Sequence, residues 1–159
     1  MMGRVRHKDT KPEMLVRRAL HRAGHRFRLQ ARDLPGRPDI VFRGDRVAIF
    51  VHGCFWHRHP GCEHTRTPKT RVEFWNAKFN GNVRRDEASQ AALEAADWDV
   101  LVIWECEARD PERLTHFVEA VHRARQSAIS LAGNRNQNVV AGRRRGDWLK
   151  LKMPVPPEG

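Results

Sequence analysis

The stretch Val47–Cys62, VAIFVHGCFWHRHPGC, restricts what this chain can fold into more than any other. Val47-Ala48-Ile49-Phe50-Val51 is short, apolar and β-branched, as a buried strand is. His52-Gly53 breaks it, and two cysteines, two more histidines, a phenylalanine and a tryptophan follow by Cys62. A strand that opens into a ligand-rich loop holds its end groups on a rigid base. The remainder of the chain is therefore expected to support this place.

Cys54, His59 and Cys62 form a C-x4-H-x2-C pattern, and Cys106 follows the apolar run Val100–Trp104. Four nitrogen and sulfur ligands, the fourth remote in sequence, suit a structural zinc site that pins the loop to a later strand. His57 and His64 compete as ligands, and three unconnected thiols is the plainer alternative. An odd number of cysteines, three, in a chain with no export-signal pattern argues against a disulfide framework.

At 159 residues a single domain with a real core is expected. The balance of 30 Lys+Arg against 19 Asp+Glu gives +11 at neutral pH, which points to a polyanionic partner, and nucleic acid above others. Arginine dominates the basic set and suits bidentate contacts to phosphates and bases. No apolar stretch approaches the ~20 residues of a membrane span, so a cytoplasmic or nucleoid-associated protein is expected.

Taken in order, Met1–Asp9 reads as a basic arm. Thr10-Lys-Pro-Glu13 starts a helix, with Thr10 as N-cap and Glu13 at the capping-box position. Leu15, Ala19 and Leu20 form its apolar stripe, and Gly24 stops it. A short strand is expected over 25–29, a turn at Asp33-Leu-Pro-Gly-Arg-Pro38, and a strand Asp39–Phe42 joined by a hairpin to Val47–Val51. One helix is expected over Val72–Phe79, interrupted by Gly81, and a second over 82–96 that buries Val83, Ala92, Leu93 and Ala96. Asp99–Trp104 reads as the clearest central strand. Asp110-Pro111 caps a last helix carrying Leu114, Phe117, Val118 and Val121. Residues 127–159 are read as a flexible basic tail, which leaves 10–126 as the folded domain. This order implies a mixed sheet covered by helices.

Asp39 begins a strand, and the adjacent strand ends twelve residues later at Val51-His52. A carboxylate at one strand and polar groups from the next can share a divalent cation, although Asp also simply ends turns. His52 and His57, each alone compatible with a bland role, together beside Asp39 suggest acid/base chemistry near neutral pH. Phe55 and Trp56, with Trp75 on a basic segment, read as wedges that unstack base pairs; for Phe74 core packing is the better reading. Glu13 fits both a capping box and a supporting acid, and Asp86 reads as a solvated helix charge.

LPGRPDIVF (34–42), HGCFWHRHPGC (52–62), RTPKTRVEFWNAKFNGNVRRD (66–86) and DVLVIWEC (99–106) closely resemble the very-short-patch repair (Vsr) mismatch endonucleases, over about Asp9 to Arg125. The resemblance implies an α/β, restriction-endonuclease-like single domain that nicks one strand of duplex DNA at a T:G mismatch left by deamination of 5-methylcytosine. It implies catalytic Mg²⁺ on Asp39 and the Val51 backbone carbonyl, and structural Zn²⁺ on Cys54, His59, Cys62 and Cys106. It also implies His52 and His57 as catalytic histidines, with Glu13 and Asp86 as supporting acids and Asp86 orienting a histidine. Phe55, Trp56 and Trp75 are implied as the DNA wedge, the protein as a monomer, and mismatch-repair proteins as partners. Two departures stand out. Val51 occupies a position where the family usually has threonine, and Pro60-Gly61 make the His59–Cys62 loop one residue longer than the common pattern. The competing expectations are a nuclease of the same fold with broader specificity, and a zinc-containing DNA-binding protein without catalysis.

Overall fold

A computed structural model describes residues 8–133. Helix α1 (Lys11–Arg22) leads into β1 (Arg28–Leu29), β2 (Ile40–Phe42) and β3 (Val47–His52), and the single helical turn α2 (Cys54–His57) follows at once. A 3-10 turn (Glu63–Thr65), the long helix α3 (Val72–Ala95), β4 (Asp99–Trp104), α4 (Glu105–Arg109) and α5 (Pro111–Gly133) complete it. The sheet order is β1-β2-β3-β4. The first three strands pair antiparallel, with Ile40 opposite Ile49, and β4 lies parallel to β3, with His52 opposite Trp104. The expected mixed α/β sheet flanked by helices is thus present.

Both faces of the sheet are covered, which is why β3 reads as a continuous apolar run rather than an alternating one. Ile40, Phe42, Val47, Ile49 and Ile103 pack against Val16 and Leu20 of α1 and Val121 of α5. Val41, Ala48, Phe50 and Val100 point the other way, against Leu93 of α3 and Ala31. The alternation of side chains along a strand divides the residues between these two cores. The Pro-Gly turn before β2 sits tightly under α3. Gly36 has φ +69°, and a Cβ there would meet Ser89 Cβ at 2.5 Å, so only glycine fits.

Several sequence expectations shift. Strand β4 is central in composition but lies at the edge of the described sheet. Its apolar character comes from burial above and below, Val100 in one core and Ile103 in the other. Gly81 does not interrupt α3, which is continuous from Val72 to Ala95. A helical glycine costs about 1 kcal/mol relative to alanine, and burial of Phe79 and Leu93 on either side holds the helix together. Ala92 and Ala96 are exposed, because α3 meets the sheet mainly through Leu93. In α1 the fully buried positions are Pro12, Glu13, Val16, Arg17 and Leu20, with Leu15 and Ala19 half-buried, so the inward face carries charge as well as apolar side chains. Helix α5 runs past Ser127 to Gly133. The rest of the expected tail, and residues 1–7 of the expected arm, lie outside the described residues.

Candidate active site and metal centre

The site grows from the ends of β2 and β3. Asp39 precedes β2, its N–H donating to the Ile49 carbonyl at 3.0 Å. One residue beyond the backbone ladder, its side chain takes over the pairing: the Val51 N–H donates to Asp39 Oδ2 at 2.8 Å. The other carboxylate oxygen has no hydrogen bond among the described residues. Burial pushes the Asp39 carboxyl up to about 6, helped by nearby Glu13 and opposed by the Val51 N–H, Arg17 and His57. A desolvated carboxylate with an uncommitted oxygen suits a hard divalent cation, which restores the charge balance that burial disturbs.

Glu13, from the first turn of α1, lies beside it and is 5% exposed. The Thr10 hydroxyl donates to Glu13 Oε1 at 2.8 Å, and the Asp9 N–H to Oε2 at 3.1 Å. Arg17, one helical turn on, donates to Glu13 Oε2 at 2.9 Å and to Asp9 Oδ1 at 2.6 Å. The capping motif expected at Thr10 is therefore also a buried ion-pair network. Arg17 escaped the sequence reading, although its i+4 spacing from Glu13 was a usable signal.

The histidines stand on the same sheet end. His52, the last residue of β3, is 5% exposed, and burial together with the His57 charge lowers its pKa to about 4. The His57 ring stacks on it, centroids 4.1 Å apart and planes 7° apart. His57 Nδ1 lies 2.5 Å from Asp86 Oδ2, so Asp86, from the middle of α3, orients that ring rather than serving as a solvated charge. The ligand atoms of His52, His57 and Asp86 all lie within 4.8 Å of one another. Parallel stacked rings, however, direct their in-plane lone pairs side by side. They do not converge on one ion, and the pair is better suited to holding and moving a proton.

The other end of α2 carries the expected zinc set. Cys54, His59, Cys62 and Cys106 bring their ligand atoms within 4.8 Å of one another. His59 Nδ1 is 3.7 Å from Cys54 Sγ and 3.3 Å from Cys106 Sγ. Ligands at about 2.3 Å (sulfur) and 2.0 Å (nitrogen) around a tetrahedral ion lie roughly 3.5–3.8 Å apart, so these residues fit zinc. His64 is exposed beside Glu63 and outside this group, and His57 is committed to Asp86. Burial and the neighbouring thiols push Cys106 up to about 12, and burial raises Cys54. A cation bound beside Cys54 and Cys106 would offset that burial and favour their thiolates. Trp104 covers the centre, its ring stacked on His59 at 4.4 Å.

Between the two ends of α2, Phe55 and Trp56 project towards α3. Phe55 meets Trp56 at 5.0 Å, Trp75 at 6.0 Å and Phe79 at 5.0 Å. They lie on a helical turn rather than the loop that the sequence suggested, and the Asn82 side chain donates to the Trp56 carbonyl at 3.0 Å. Lys78 lies over the Trp56 and Trp75 rings. Phe79 is the buried floor of this platform, whereas Phe74 is 46% exposed and not core. On α3 a five-residue step turns the side chain to a different face of the helix, and only the Phe79 face meets α2.

A mixed sheet bearing a desolvated carboxylate, an oriented histidine pair and a basic aromatic platform is the arrangement of a DNA-cutting enzyme of restriction-endonuclease-like fold. The family model described as DNA mismatch endonuclease Vsr matches residues 1–64. The type II nicking enzyme V.XorIIP of Xanthomonas oryzae pv. oryzae is 51% identical over 69% of this chain and 80% of its own length. The DNA mismatch endonuclease Vsr of Escherichia coli is 43% identical over 72% of each chain. A type II nicking enzyme of Neisseria meningitidis is 37% identical over 76% of this chain and 89% of its own. The chain belongs to the Vsr family of DNA mismatch endonucleases. It is a nuclease, and DNA is its substrate.

Proposed function

We propose that the protein nicks one strand of duplex DNA beside a T:G mismatch in a magnesium-dependent reaction. The observation that carries this reading is the meeting of Asp39 with the Val51 backbone and the His57–Asp86 pair at one sheet end, next to the Phe55–Trp56–Trp75 platform. The N–H and C=O of a strand residue leave toward the same edge. Since the Val51 N–H reaches Asp39, its carbonyl is directed to the same side, and a valine there serves as well as a threonine for a backbone ligand. Asp39 and that carbonyl would hold Mg²⁺, which supplies Lewis-acid stabilisation of charge at the scissile phosphate.

The chain's own groups do the rest. Asp86 on Nδ1 fixes the His57 ring so that Nε2 faces outward, to take a proton from the attacking water or give one to the leaving oxygen. His52, held neutral at physiological pH by burial, supports the ring from behind without competing for the proton. Phe55, Trp56 and Trp75 enter the base stack, which opens at least cost where pairing is already defective. Cys54, His59, Cys62 and Cys106 would hold Zn²⁺ and so anchor α2, which carries both wedge and histidine. Among the described residues no helix is long and apolar enough to cross a membrane, and we place the reaction in the bacterial cytoplasm.

The test is nicking of a labelled duplex carrying one T:G, beside its T:A control, with and without Mg²⁺. A metal-dependent nick confined to the T:G strand is expected. Equal cutting of both duplexes would remove mismatch selectivity, and cutting without a divalent cation would remove magnesium.

A further inference from the structure

The start of α3 leaves apolar surface open in a strongly basic setting. Val72 and Phe74 are 44% and 46% exposed, among the few large hydrophobic side chains that the described residues leave so open. Phe74 stands edge-on to Trp75, centroids 5.5 Å apart at 79°, and so continues the aromatic platform outward. The Arg71 guanidinium lies over the Phe74 ring, 4.5 Å from its centroid. Arg71 is the residue before the helix, has a left-handed backbone with φ 53°, and makes no side-chain cap. Its side chain therefore does not serve the helix end.

Between Arg66 and Lys78 the exposed charges are Arg66, Lys69, Arg71 and Lys78, against Glu73 alone. Among the described residues none of these four cations is in an ion pair. A guanidinium held over a ring face is restrained in position while its N–H donors are not consumed by the ring, which suits a phosphate. We propose that Arg71 and Phe74 act as one DNA-backbone clamp beside the wedge: the ring holds the guanidinium in place over its face, and the guanidinium binds a phosphate of the duplex. The clamp reads no base. It requires DNA as the substrate but neither T:G selectivity nor magnesium.

Equilibrium binding to a labelled T:A duplex and a labelled T:G duplex, across a salt series without Mg²⁺, tests this. The proteins compared are wild type, Arg71→Ala, Phe74→Ala and the double variant. Both side chains are on the surface, and zinc content per chain checks that each variant is folded. Each single variant is expected to weaken binding to both duplexes about three- to tenfold and to lower the log–log salt slope by about one. The double variant is expected to bind no more weakly than Arg71→Ala, because the ring acts through the guanidinium. A full salt slope in Phe74→Ala, or losses that multiply in the double variant, would overturn the clamp. Because the T:A duplex reports on the clamp by itself, failure of T:G-selective nicking would be separately visible.

Discussion

One helical turn, α2, has a site of opposite character at each end. At Cys54 begins a compact set of soft ligands, three of them within Cys54–Cys62, that suits a cation permanently in place. At His57 ends a set gathered from α1, the start of β2, the end of β3 and the middle of α3. The first set would hold its shape by coordinating a metal ion, and burial raises the thiols of Cys54 and Cys106 while no ion is bound. In the second, burial moves the two groups in opposite directions from their ordinary values, the Asp39 carboxyl up to about 6 and the His52 imidazole down to about 4, where it stays neutral at physiological pH. A static centre can be built from neighbours in sequence. A site that tunes ionisation needs walls from several elements, because desolvation is a property of the surroundings.

The difference can be broken at either end. The largest effect is expected from the zinc end. Cys106→Ser should lose zinc and with it much of the stability of the 53–66 segment, since structural zinc contributes on the order of 10 kcal/mol of binding free energy to such sites. Zinc content and a thermal melt measure this, and an unchanged melt in a zinc-free protein would show that the centre is not structural. At the other end, Asp39→Asn should reduce nicking at least about a thousandfold, roughly 4 kcal/mol of transition-state stabilisation, while zinc content stays at wild type. Loss of zinc in that variant would mean that the two ends are not separable.

The third prediction concerns pH, with Mg²⁺ withheld. Asp39 is raised from 3.8 to about 6 in the folded state, so it favours folding at low pH, and that contribution is lost as pH rises from about 4 to 6. His52 is lowered from 6.5 to about 4, so its effect has the opposite sign: stability rises as pH climbs from about 4 to 6.5. Each effect is about 3 kcal/mol at most, and in the wild-type protein they nearly cancel. Asp39→Asn should expose the upward slope and His52→Gln the downward one, in denaturant midpoints measured at pH 4, 5 and 6.5. Parallel profiles in the two variants would show that burial does not govern these groups. The smallest effect is expected from Asp86→Asn, which keeps a hydrogen-bonding group near His57 Nδ1 but removes the charge. Nicking should fall about 10- to 100-fold with DNA binding unchanged; a loss confined to binding would remove Asp86 from its orienting role.

The candidate zinc group was legible as a cluster: C-x4-H-x2-C and the distant Cys106 named four residues whose ligand atoms the fold does bring within 4.8 Å of one another, with His64 and His57 outside that group. The strand–turn–strand from Asp39 to Val51 was equally plain, because β-branched runs around a Gly-Asp turn leave little choice. Asp86 was not legible from its neighbours: in RRDE it is one charge among several, and only the fold carries it to His57. Arg17 and Phe79 were missed because each looked like an ordinary member of a helix. Phe74 was assigned to the core because residue type carries no information about which face of α3 meets α2.

By itself the sequence determined the apolar strands, the turn at Pro35-Gly36, the Cys54–His59–Cys62 cluster and the strongly basic balance, all of which depend on residue type and short spacing. Tertiary structure alone decided that β4 lies at the sheet edge, that α3 runs unbroken through Gly81, that Arg17 pairs with Glu13, and that the histidine Asp86 meets is His57, stacked on His52. The reason is physical. Local propensity acts over a few residues, whereas burial, charge proximity and ring stacking depend on distances through space that the chain sets only once its two cores have closed on the sheet.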